Sequence, residues 1–356
     1  KYADLVGAGM DQTFLDGGNA HRVMWISDSI VRISDLTIQN GNAADSIGGA
    51  AIVNGGTLSL ERVRIDSNTT TGTGGGIVSY DTLMVWDSIV SNNAATGGAR
   101  SGGGLFISGG DSSASINNST ISGNSATQSG GGLHFQGTGA LDLTNVTISG
   151  NSSYAGGGMT NTNTGTATLL NCTITDNHLL EEGYAGGIAN YATLTVKNSI
   201  VAGNDERQCI PNGTWTSQGY NISSDDECDF TQTGDLENTD PLLAPLADNG
   251  GYTLTHALEV GSPAIDAGTN SGCPTTDQRG VSRPQSGQCD IGSYELMPAG
   301  KADYVGFYVP SKYRWYLKTD WVDGWSGVIS FGWGGSSELM PVTGDWDGDG
   351  VETAAF

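Results

Sequence analysis

The sequence predicts an all-β chain dominated by one solenoid, a right-handed parallel β-helix, and two observations carry that prediction. The first is a phrase written four times: Asn118-Ser-Thr-Ile-Ser-Gly-Asn124, Asn145-Val-Thr-Ile-Ser-Gly-Asn151, Asn171-Cys-Thr-Ile-Thr-Asp-Asn177 and Asn198-Ser-Ile-Val-Ala-Gly-Asn204. The second is its period. Decayed copies end at Asn68 and Asn93, so the closing asparagines at 68, 93, 124, 151, 177 and 204 stand 25, 31, 27, 26 and 27 residues apart. Short alternating strands at that period, with no helical pattern between them, are the signature of stacked coils.

Each coil supplies strands a few residues long, and parallel stacking sets every position about 4.8 Å above its equivalent in the coil before. Ile38, Ile65, Val90, Ile121, Ile148, Ile174 and Val201 then form one inward column of β-branched residues, which suit a pleated, buried surface. The asparagines fit twice over. They tolerate the left-handed backbone of a sharp bend, and stacked Asn side chains donate and accept along a column. Glycine clusters such as Gly130-Gly-Gly132 and Gly156-Gly-Gly158 serve bends and close backbone approach. Seven recognisable coils plus an N-terminal one imply a rod of roughly 40 Å.

Three stretches follow one another: coils over 1–204, a loop-rich, disulfide-bearing end of the β-helix over 205–300, and a small β module over 301–356. The entry text, Leu5 to Gly18, is strand and turn with no polar cap, and an open coil end is a sticky edge. The expectation is that chain before Lys1 is missing or that a partner covers that end. Residues 205–295 carry fifteen acidic groups against three basic ones, with Pro and loop signals. The final stretch holds five of the eight tryptophans, and Glu295-Leu-Met-Pro298 returns as Glu338-Leu-Met-Pro341, marking a second repeat unit. Alternating text such as Tyr313-Arg-Trp-Tyr-Leu317 places these tryptophans in sheet packing rather than on a sugar platform.

A net charge of −24 argues against nucleic acid and anionic membrane surfaces as partners, and suits divalent cations and a saline exterior. No apolar run is long enough to span a bilayer. Of five cysteines, Cys172 falls on the coil position of Ser119, Val146 and Ser199 and reads as a buried free thiol. Local pairing of Cys209 with Cys228 and of Cys273 with Cys289 is the economical choice among several connectivities. Two disulfides in loop-rich text imply an oxidising, exported location, extracellular or at the cell surface.

From Thr239-Asp-Pro-Leu-Leu through Gly261-Ser-Pro-Ala-Ile-Asp-Ala-Gly268, Asp277-Gln-Arg-Gly280 and Cys289-Asp-Ile-Gly292, the sequence resembles the choice-of-anchor Q family. The resemblance covers about residues 20–296 and implies a pectin-lyase-like β-helix on an exported bacterial surface protein, with no implied activity. Lys301-Ala-Asp-Tyr-Val-Gly-Phe-Tyr308 and Gly344-Asp-Trp-Asp-Gly-Asp-Gly350 resemble FG-GAP repeats, calcium-looped units that build propeller blades.

In the second of these, Asp345, Asp347 and Asp349 have the alternating spacing of a Ca²⁺ loop. Gly350 permits the turn, the Val351 carbonyl can add a ligand, and Thr353 stands where an acid is usual. A structural Ca²⁺ is the expectation, set against an acidic surface turn. Elsewhere catalytic patterns are missing. A lyase needs a basic residue and usually calcium, but only seven Lys or Arg lie in 1–204, with no ladder beyond Arg32, Arg62 and Arg64. A glycosidase needs two facing carboxylates, and Asp66, Asp87 and Asp176 are scattered. His21, His134, His178 and His256 are dispersed and read as structural, and Arg279 and Arg283 near Asp277 as a cap network. Asn-x-Ser/Thr triplets at Asn68, Asn117, Asn118, Asn145, Asn151 and Asn171 fall out of the repeat, whereas Asn212 and Asn221 are expected to be exposed. The reading is a structural or adhesive rod, able to self-associate head-to-tail into fibres and to meet surface glycans. The alternative is a carbohydrate-active enzyme, a polysaccharide lyase or glycoside hydrolase, using the groove.

Overall fold

The computed structural model describes residues 1–297 and, beyond them, five strands. It divides into two units, Lys1–Leu296 and Met297–Phe356. In the second, Gly306–Val309, Arg314–Lys318 and Val328–Gly332 form an antiparallel sheet, and Val342–Gly344 pairs antiparallel with Thr353–Ala355.

The first unit is a parallel β-solenoid. The inward column is in register throughout: Leu15 under Ile38, then Ile65, Val90, Ile121, Ile148, Ile174 and Val201, each paired with the next. From Ile38 onward every member is at most 1% exposed. Burying one such side chain contributes about 1.5–3 kcal/mol, and the column repeats that gain in every coil.

The closing asparagines form a ladder beside it. Asn68 Nδ2 donates to Asn93 Oδ1 at 2.9 Å, and the link recurs from Asn93 to Asn124, Asn124 to Asn151, Asn151 to Asn177 and Asn177 to Asn204. Each Oδ1 also accepts the backbone N–H of the asparagine one coil back, and each Nδ2 spends its second hydrogen on a carbonyl of that earlier coil's Ile or Val column. An amide with both hydrogens donated and two bonds accepted can be buried without penalty. Glycine next to the ladder is obligatory for space: a Cβ on Gly104, Gly132 or Gly158 would stand about 3.0 Å from the amide of Asn124, Asn151 or Asn177.

The two jobs expected of the asparagines fall to different positions. The opening residue of the phrase takes the left-handed backbone, with φ between 48° and 53° at Asn118, Asn145, Asn171 and Asn198. The closing residue does not. The bend before it is made by Asn92, Gly123, Gly150, Asp176 or Gly203.

Coils continue past residue 204. Arg207–Pro211, Thr214–Ser217 and Ile222–Ser223 stack on the preceding strands, and Gln208 Oε1 ends the ladder by accepting Asn204 Nδ2 at 2.8 Å. The chain from about residue 236 then forms a strap. It runs back along one outer face as far as Tyr252, whose ring lies 5.7 Å from the Arg62 guanidinium. It returns to the last coils through Leu258 and Ala264, runs out again from Thr269 to Gln278 and comes back to Thr173 at Ser293. Beneath it Ile200, Ala202 and Ile222 pack with Leu258, Ala264 and Ile291.

Candidate functional site

The first feature to weigh is what the strap covers. The phrase puts Thr120, Thr147 and Thr173 on the outside of their strands, yet all three are buried. Thr147 donates to Gln278 Oε1 at 2.7 Å, and Gln278 Nε2 reaches Thr120 Oγ1, Thr253 Oγ1 and the Leu254 carbonyl. Thr173 Oγ1 accepts the Ser293 backbone N–H, and Asn171 and Asn198 donate to strap carbonyls at Asp290 and Thr269. Over these coils this face of the rod is therefore filled by the chain itself.

At the far turn of the strap, Asp277 is fully buried and accepts from the Arg279 guanidinium at 2.7 and 2.9 Å and from the backbone N–H groups of Arg279, Val281 and Glu295. The Arg279 guanidinium also stacks 3.6 Å above the Tyr294 ring. Arg283 donates to the Asp290 and Gly292 carbonyls, with Glu295 3.8 Å from its Nε. These groups face one another, not solvent, so the expected cap network is what the residues build. Burial pushes the Asp290 carboxyl up to about 7 and raises that of Glu295.

His256 pins the strap in a cleft of about 580 Å³ that Asp176 and Asp240 also line. Its Nδ1 meets the Ala244 carbonyl at 2.7 Å, which only accepts, so the proton sits there and Nε2 accepts from Ser149 Oγ at 2.9 Å. Burial pulls the His256 pKa down and keeps the ring neutral. A serine on a neutral imidazole is the geometry of an activated nucleophile. Here, however, Ser149 and His256 are 2% and 1% exposed, and the pair serves to hold two segments together. Its one mark in the sequence is a lone histidine in loop text.

A second cleft, about 480 Å³ and open, lies near the other end of the rod among Arg32, Ser59, Glu61, Trp86 and Asp87. Strand Leu83–Trp86 alternates buried and half-buried residues, which turns Trp86 outward beside Glu61 of the coil below. Glu61 accepts from both Arg32 and Arg62, and Arg62 also grips Asp35 at 2.6 and 2.9 Å. Those guanidinium bonds hold the Glu61 carboxyl below its ordinary value, whereas burial pushes Asp87 up against a hydrogen bond from Asn118. One raised and one lowered carboxyl is the pattern of an acid and its counterpart. Glu61, though, is already neutralised by two arginines.

The remaining predicted residues are placed as follows. Cys209 bonds Cys228 and Cys273 bonds Cys289, while Cys172 is a free, fully buried thiol that burial pushes up to about 12. Asn68, Asn145, Asn151 and Asn171 are buried. Asn212 is exposed as expected, but Asn221 is not: it is fully buried because the coils run on, and its Oδ1 accepts the Ser199 N–H. The histidines stay apart; His134 is buried against Phe106 and bonded to Thr162, its pKa lowered by burial to about 4. Among the described residues no three His, Cys, Asp or Glu side chains converge to hold a metal. Asp345, Asp347, Asp349 and Val351 of the predicted Ca²⁺ loop lie outside the described residues, and Thr353 is described only as the first residue of strand Thr353–Ala355.

Residues 73–232 match the family model described as the right handed beta helix region, in agreement with the stacked coils. No curated protein and no solved structure is significantly similar to the chain.

Proposed function

We propose that this is an exported rod with a structural or adhesive role at the cell surface or outside the cell. The observation that carries the reading is the strap: on the coils it crosses, it occupies the outer face on which a substrate would lie. One disulfide ties the chain just before it to the last coil, while the other cross-links two of its own segments beside Asn198. The resemblance to choice-of-anchor Q proteins supports the surface location. A Ca²⁺-stabilised FG-GAP-like module over 301–356, surface glycans as ligands and fibre formation belong to the same proposal. The test is to locate the native protein by surface proteolysis and fractionation, then to offer it a panel of polysaccharides. Surface exposure with no new reducing ends and no unsaturated product is the expected result. A cytosolic protein would overturn it.

One observation favours a second reading, a carbohydrate-active enzyme acting at the Trp86 cleft: the raised Asp87 carboxyl beside the lowered Glu61. Polysaccharide turnover that Asp87→Asn abolishes would establish that reading and displace the first.

A further inference from the structure

Another outer face of the rod is left uncovered by the described residues, and its chemistry is regular. In strands Thr166–Leu170, Thr193–Lys197 and Thr214–Ser217, inward residues such as Leu169, Leu194 and Val196 are buried and threonines alternate with them on the outside. Thr166, Thr193 and Thr214 stand in one register column, and Thr168, Thr195 and Thr216 in the next. The six side chains therefore form a lattice with repeats of about 4.8 Å between coils and about 6.6 Å along each strand. Threonine is β-branched and keeps few χ1 rotamers, and the Asn ladder fixes the coils that carry it. Among the described residues none hydrogen-bonds to any of these six hydroxyls. The second column continues toward the N-terminus through Ser115 and Ser59, interrupted by Asp142 and Met84.

We propose that this threonine lattice is an ice-binding face. A site that recognises a discrete ligand does so through a few charged, aromatic or concave contacts. The six-threonine patch lies on three adjacent strands in register, has no aromatic ring and bears no charge in a chain of net charge −24, so it complements a neutral partner. Identical hydroxyl-plus-methyl groups on two fixed spacings select a partner that repeats on the same two spacings. The prism-plane oxygen lattice of hexagonal ice repeats near both spacings, more closely between coils than along the strand. Hydroxyls without internal partners can order water into that lattice, while the methyls fill the gaps between. Because the face is held rigid before contact, little conformational entropy is lost when it docks. The inference goes beyond the surface-rod reading and does not depend on it, since the face exists whatever else the chain does.

The test uses the full chain, fluorescently labelled, in contact with a slowly growing ice hemisphere, together with recrystallisation of polycrystalline ice. Incorporation into the ice and arrest of grain growth at micromolar protein are expected. Thr195→Tyr, at the lattice centre, should raise the concentration needed by about tenfold or more, as removal of a central contact does, with circular dichroism unchanged. The double variant Ala140→Thr/Asp142→Thr extends the lattice by one coil and should lower that concentration. Exclusion of the wild type from ice, or equal activity in Thr195→Tyr, overturns the proposal. Binding to crystalline cellulose or chitin without ice incorporation would also overturn it, in favour of a polysaccharide ligand.

Discussion

The coil interior and the strap both bury polar groups, and they do it by opposite means. Along the ladder one solution is used again and again: Asn93, Asn124, Asn151 and Asn177 each make the same bonds to the coils on either side. In the strap, apart from the Nδ2 bonds that Asn145, Asn171 and Asn198 each donate to one of its carbonyls, every side-chain anchor is different. The Gln278 side chain binds three threonines and one backbone carbonyl, His256 binds a serine and a carbonyl, and Asp277 is closed by one arginine and three backbone N–H groups. Repetition makes the coils tolerant of a changed pattern at any one level but strict at every ladder position. The strap depends on single side chains whose loss should be felt locally.

The largest test of that contrast is Asn151→Ala. It leaves the Asn124 backbone N–H and Nδ2, donated at 3.0 and 2.9 Å, without an acceptor in the core. Two buried donors stranded at about 1–3 kcal/mol each suggest a loss of about 4 kcal/mol, read as a fall in the urea midpoint of the far-UV signal. An unchanged midpoint would mean that the ladder is passive.

A somewhat smaller and local loss is expected in the strap. Cys273 and Cys289 lie 16 residues apart, and removing such a bridge costs about 3 kcal/mol on loop entropy. In the double Ser variant, hydrogen exchange should accelerate over 269–296 while the coils stay protected. Non-reducing peptide mapping of the wild type should show both bridges, with Cys172 alkylated only after unfolding. Smaller again is Gln278→Ala. It removes the anchors to Thr120 and Thr147 for about 2 kcal/mol, seen as faster protease cutting between Tyr252 and Gln278 with the coil signal intact. Global unfolding in place of local opening would show that strap and coils form one cooperative unit.

The same contrast explains which parts of the molecule were legible in its sequence. The Ile column and the ladder positions could be read because each is stated many times at one spacing. The disulfides could be read because their partners are close in the chain. The strap could not. Thr147 and Gln278 are 131 residues apart, and Ser149 and His256 are 107 apart, with nothing repeated to announce the pairing. Asn221 was misjudged for a related reason: the final coil keeps the backbone path but loses the phrase, so the text looks like loop while the residue is buried. The Trp86 cleft was missed because its members, Arg32, Glu61 and Asp87, come from different coils and share no motif.

The smallest effect sharpens the comparison within the strap itself, where Asp290 and His256 respond to pH in opposite directions. Burial raises the Asp290 carboxyl to about 7, against hydrogen bonds from the Leu296 and Asp266 backbones, whereas an unfolded aspartate titrates near ~4. Between those values the folded strap holds a proton that the unfolded chain has released, so Asp290 weakens the strap as pH rises from about 4 to about 7 and adds nothing further above. Glu295, also raised by burial, has the same sign. His256 is lowered by burial, so the folded strap keeps neutral a ring that the unfolded chain would charge. Its contribution is intact above about 6.5 and is lost as pH falls toward the folded value. Strap opening, followed by hydrogen exchange in wild type, Asp290→Asn and His256→Gln, separates the two. The difference between wild type and Asp290→Asn should widen from pH 4 to about 7 and then stay level. That between wild type and His256→Gln should change only below about pH 6.5. Parallel curves for all three proteins would mean that neither buried group carries the pH response, and that the strap is held by its neutral bonds to Thr120, Thr147 and Thr173 alone.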